Sequence, residues 1–181
     1  QTGFYAALLY TASVYAFVIT GIFILPDTPL SVFSLLAVLQ FVKYFQNDKN
    51  KHLLWAGLFA GFAMLSKYSG VFIWIGVGLY VIFYSRKEFK NPFLYLSVLI
   101  SMVCILPILV WNINNEFISF TFHGDRVGLF GEFHPEYFFA EIFGELLYNN
   151  PVNYVLTIIA LIGVLKGKKF LSDKPKRLLL C

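Results

Sequence analysis

The residues able to do chemistry lie at a few polar breaks in an otherwise apolar chain. Leu25-Pro26-Asp27-Thr28-Pro29-Leu30 separates two long apolar runs and holds one acidic residue and no basic one. A carboxylate where two membrane helices meet is costly unless it faces a water-filled or substrate-filled mouth, so Asp27 is a candidate catalytic or site-supporting acid. A second break, Leu65-Ser66-Lys67-Tyr68-Ser69-Gly70, supplies a cation and a phenol. A third stretch, opening at Trp111 and Asn112, carries Asn115, Glu116, His123, Asp125 and Arg126. Lys67 and Arg126 can pair with a phosphate. Aromatic rings can stack on a sugar or an apolar chain, and a carboxylate can take a proton from an acceptor.

Each of these residues also has a plainer role open to it. Asp27 or Thr28 can cap a helix whose first turn holds Pro29. Lys67 can snorkel from a short helix to the interface. Tyr68 and Trp111 suit an aromatic belt. His123 can be a solvated loop histidine, since no second histidine stands at ligand spacing beside it; the other reading makes it a metal ligand.

The elements that must position these groups follow from composition. Of 181 residues, 59% are hydrophobic and 13% charged, and the mean hydropathy is +0.72. No soluble core of this length hides that much apolar surface, so an all-α integral membrane protein is expected. Lys and Arg number 14 against 10 Asp and Glu. The excess gathers in three short clusters that report topology, and nucleic acid is not an expected partner. Cys104 and Cys181 stand in no metal-ligand spacing.

Gly3 to Leu25 carries no charge and is expected to be one span. Thr28 to Phe45 is a second, ending at a basic loop with Lys43, Lys49, Lys51 and His52. The next apolar run, Leu53 to Tyr84, would reach about 48 Å as one helix and overshoot a core of about 30 Å. It is expected to break at Leu65 to Gly70 into two helices that reach out and return to Arg86, Lys87 and Lys90. Pro92 or Phe93 to Trp111 is a further span, with Pro107 near its outer end. Residues 112–150 are acidic in balance and expected to form an extracytoplasmic loop. Within it, Pro135 to Tyr148 has helical apolar spacing and reads as a surface helix. Pro151 to Leu165 is the last complete span and returns to Lys166, Lys168 and Lys169. All three basic clusters then fall on one side, and about six transmembrane or re-entrant helices result. Residues 1–181 form one membrane domain in this reading.

Under this topology one extracytoplasmic face collects an acid, cations and aromatics, which suits a polyprenyl-phosphate sugar donor. The run at 25–30, then Gly57 to Tyr68, then Pro107 to Asn112 with Phe117-Ile118-Ser119-Phe120 and Arg126, resembles the membrane glycosyltransferases of GT-C architecture. The nearest group is the dolichyl-phosphate-mannose protein mannosyltransferase-like and aminoarabinose-transferase-like enzymes. The resemblance implies transfer of a sugar from a polyprenyl-phosphate carrier to a protein, lipid or glycan acceptor on the extracytoplasmic face of a prokaryotic plasma membrane. It implies Asp27 at the second acidic position of the site. Lys67, Tyr68, Asn112 and Arg126 would bind substrate, and His123 would stand near a divalent metal ion, with no other cofactor. It further implies that the principal catalytic aspartate belongs to a first extracytoplasmic loop that this chain does not contain. Gln1 and the truncated flank after Lys174 agree with an internal fragment of a larger enzyme, inactive alone. A polytopic transporter or flippase-like protein is the alternative, and a membrane scaffold a third reading.

Overall fold

The computed structural model describes residues 2–13, 15–19, 21–23, 25–119, 121, 135–148 and 150–165. The described residues are helical throughout, without strands. We label the α-helices α1 (Thr2–Ala12), α2 (Asp27–Asn47), α3 (Asn50–Ser66), α4 (Phe72–Tyr84), α5 (Pro92–Asn114), α6 (Pro135–Tyr148) and α7 (Pro151–Leu165). A π-turn covers Tyr15–Ile19, and 3-10 turns cover Tyr68–Val71 and Arg86–Lys90.

Among the described residues α2, of 21 residues, and α5, of 23, are each long and apolar enough to cross a membrane. At 1.5 Å per residue they reach roughly 32 and 35 Å, against a hydrocarbon core of about 30 Å. These two supply the crossings that length and composition establish out of the about six expected. Gly3–Ala12, Tyr68–Tyr84 and Pro151–Gly163 are shorter apolar helices. Large apolar side chains face outward along the spans, among them Leu35 on α2 and Leu99, Met102, Val103 and Val110 on α5. In water such a surface is an association hazard; in a bilayer lipid tails cover it.

The centre of the fold is α3, packed against α2 on one side and α5 on the other. A sharp reversal at Asp48, which takes the left-handed conformation at φ 53° and donates its N–H to Tyr44 O at 2.7 Å, makes α2 and α3 antiparallel. Lys67 ends α3 in extended backbone, at φ −156° and ψ 140°. The chain then folds back at once through the 3-10 turn. Gly70 permits this, because a Cβ there would stand 2.5 Å from the backbone N of Met64. The expected break in the long apolar run is therefore observed, between helices of 17 and 13 residues.

Helices α3 and α5 run parallel and touch backbone to backbone. A Cβ on Gly57 would lie 2.3 Å from Ser97 O, and one on Gly61 would lie 2.8 Å from Cys104 Cβ. This is the small-xxx-small contact by which membrane helices approach closely. Ser101 sits in the seam, donating to Gly57 O at 2.5 Å and receiving the Trp74 indole N–H at 3.1 Å. The hydroxyls of Ser31, Ser66 and Thr157 turn back onto carbonyls one turn earlier, at 2.7 to 2.8 Å. These hydroxyls are thus paired with helix backbone, as a hydrocarbon solvent demands.

The first expected span is corrected. Gly3 to Leu25 is not one helix: α1 stops at Ala12, a bend follows at Ser13, and the Tyr15–Ile19 π-turn comes next. Competing hydrogen bonds account for the break. Ser13 N–H bonds Tyr10 O at 3.2 Å in a tightened turn. Asn153 Nδ2 takes Leu9 O at 2.6 Å, and Asn150 Nδ2 takes Ala12 O at 3.3 Å. Helices α6 and α7 have the bounds expected from sequence.

Candidate functional site

The sequence places Asp27 and Lys67 forty positions apart; the antiparallel pairing of α2 with α3 brings them together. Lys67 Nζ lies 2.8 Å from Asp27 Oδ1. The residue at the cap position of α2 is Pro26, and Thr28 Oγ1 turns back to Phe23 O at 3.2 Å. This corrects the expectation of Asp27 or Thr28 as a simple cap, and equally that of Lys67 as a cation snorkelling alone. The Asp27 side chain is 15% exposed and that of Lys67 47%. The carboxylate is turned inward and the ammonium is half open.

Beside the pair is a cavity of about 850 Å³, lined by Pro26, by Met64 through Ser69, and by Val71, Ile105, Ile108 and Leu109. Its walls are mostly apolar, and Lys67 is its one cationic lining residue among those described. Tyr68 shares this rim. On α5, fully buried Asn112 reaches toward it: Nδ2 donates to Ile108 O at 2.9 Å and meets Tyr68 OH at 3.5 Å. Among the described residues Asn112 Oδ1 is buried without a hydrogen-bond partner, a rare and costly state for a carbonyl oxygen. Asn112 is part of α5, so the expected loop starts only at Asn115. There Glu116 and Phe117 adopt left-handed backbone, at φ 52° and 57°.

Asp27, Lys67, Tyr68 and Asn112 therefore share one end of the bundle. Arg126 and His123 lie outside the described residues. Among the described residues no three His, Cys, Asp or Glu side chains come together as a metal-ligand group. A second cavity, of about 800 Å³, lies between α1, Ser31 of α2 and α7.

The opposite end holds a polar network that sequence reading missed. Tyr44 OH donates to the buried carboxylate of Glu88, which also receives Ser85 Oγ at 3.3 Å. Asn91 Nδ2 reaches Tyr44 OH at 2.8 Å and Asn50 Oδ1 at 3.0 Å, while Asn91 Oδ1 caps α5 through Phe93 N–H. Lys87 lies 3.7 Å from Asp48. The signal was present as Asn91-Pro92, a cap followed by proline at the first helical position. The network joins both described basic loops at one end of the bundle.

A family model described as dolichyl-phosphate-mannose-protein mannosyltransferase matches residues 1–111 of the 181. The chain belongs to this family. It is therefore a glycosyltransferase of the GT-C type, and a membrane protein. The family match takes in Asp27, Lys67 and Tyr68 and stops at Trp111, just before Asn112. No curated protein and no solved structure gives a significant match.

Proposed function

We propose that this mannosyltransferase-family chain forms the donor-phosphate end of a site that moves a sugar from a polyprenyl-phosphate carrier to an acceptor on the extracytoplasmic side. The observation that carries the reading is the ammonium of Lys67 at the rim of a mostly apolar cavity, at the end of the bundle opposite both described basic loops. Such a site fits an anionic head on an apolar chain. The ammonium meets phosphate oxygens with charge-assisted hydrogen bonds, and the apolar wall accepts isoprene units.

In the reaction, the bond between the anomeric carbon and the phosphate oxygen breaks and the acceptor oxygen takes its place with inversion. The acceptor proton goes to a carboxylate, and the phosphate leaves carrying the negative charge. Lys67 stabilises that charge where it develops. Tyr68 and Asn112 close the rim beside the head, Arg126 acts with Lys67 on the phosphate, and Asp27 is the acid that supports the site. The family name points to a protein hydroxyl as acceptor. Residues 1–181 act as one membrane domain, with residues 115–150 on the outer side.

The test is transfer of labelled sugar from a polyprenyl-phosphate donor by the full-length parent in membranes. Lys67→Met is expected to lower transfer at low donor by about 10- to 100-fold, the loss of a charge-assisted hydrogen bond. Wild-type membranes that transfer no sugar from any such donor would overturn the reading.

A further inference from the structure

Asp27 and Lys67 form a pair, but only one of them faces the cavity. Lys67 lines it, and among the described residues Asp27 does not. The carboxylate sits behind the ammonium, mostly covered, while the ammonium is half open. A ligand in the cavity therefore meets Lys67 first. A general base must come within about 2.6–3.2 Å of the proton it removes, and the Asp27 carboxylate is placed on the ammonium instead, at 2.8 Å.

The backbone on both sides holds this arrangement. Lys67 is pinned by its N–H to Ala63 O at 3.0 Å and by the reversal at Gly70. Asp27 is in the first turn of α2, where Ser31 Oγ bonds its carbonyl at 2.8 Å. A lysine has a long, mobile stem and three N–H donors. One donor on Asp27 fixes the stem and leaves the others for oxygens in the cavity.

Resting on the donor-phosphate reading, we infer that Asp27 is a positioning residue which acts through Lys67, orienting its ammonium toward the donor phosphate, and is not the base that deprotonates the acceptor. Asp27 then controls donor affinity. The proton is taken by another group.

The experiment compares wild type, Asp27→Asn, Asp27→Glu, Lys67→Met and the double variant Asp27→Asn/Lys67→Met in the full-length parent, at matched expression and thermal stability. Donor KM, kcat and the pH profile of kcat are read by sugar transfer; affinity is read by inhibition with the sugar-free polyprenyl phosphate. Asp27→Asn is expected to raise donor KM and the inhibition constant about 5- to 10-fold, the cost of a lost ordering contact. The shape of the pH profile is expected to stay unchanged, and Asp27→Glu to recover most of the affinity. The double variant is expected to match Lys67→Met within about twofold, because residues acting through one contact are not additive.

A fall in kcat with unchanged KM and a lost acidic limb would overturn the inference and make Asp27 the base. Multiplying defects in the double variant would also overturn it. Both outcomes leave the donor reading intact. Wild type that neither transfers sugar nor binds polyprenyl phosphate overturns the two together.

Discussion

Asn112 shows how a single buried side chain can trade stability for binding. Its Nδ2 is used on Ile108 O, yet its Oδ1 is buried without a partner among the described residues. Such an atom costs about 1–3 kcal/mol when nothing satisfies it. A residue kept for structure alone would be better as a similar-sized apolar one. Asn112→Leu is therefore expected to keep or raise thermal stability in detergent while sugar transfer falls; equal losses in both would assign Asn112 to the scaffold.

At the scale of elements, the pairing of α3 with α5 decides whether the site forms. Gly57 lies where any Cβ meets the backbone of Ser97, which cannot move aside as a flexible side chain can. Gly57→Ala should force the helices apart and cost about 2–4 kcal/mol, within the range of overpacked or separated cores. The measurement is thermal unfolding of the detergent-solubilised parent. Gly78, with nothing within 4 Å of a Cβ, is the control. Gly78→Ala is expected to be neutral or stabilising by up to about 1 kcal/mol, since it only removes backbone freedom from the unfolded chain.

Across the molecule the two ends differ in kind. The basic end is closed by packed aromatics, with Phe45 and Tyr80 ring centroids 4.4 Å apart at a tilt of 52°, and by the Tyr44–Glu88–Asn91 network. A cavity opens at the other end, beside Asp27 and Lys67. Glu88→Ala strips the buried Tyr44 hydroxyl of its acceptor and should destabilise the fold by about 1–3 kcal/mol. Glu88→Gln, which keeps an acceptor, should cost less. Membrane orientation is expected to follow the same polarity. Cysteines placed at Lys49 and Lys87 should react with an impermeant thiol reagent only from the cytoplasmic side, and one at Ser69 only from outside. The reverse pattern would place the candidate site in the cytoplasm.

The sequence by itself determined what depends on one stretch of chain. Apolar run lengths required the break near Lys67. Proline and asparagine at 91–92 and proline at 135 and 151 marked helix starts. The family was legible for the same reason, in short motifs read in order. Only the tertiary structure decided which side chains meet. The Lys67–Asp27 pair, the Tyr44–Glu88 contact and the seam at Gly57 join residues 40 or more positions apart. They depend on the rotation of each helix about its axis, which close backbone packing sets and hydropathy does not encode. The early end of α1 was hidden likewise, since Asn150 and Asn153 claim its carbonyls from the far end of the chain.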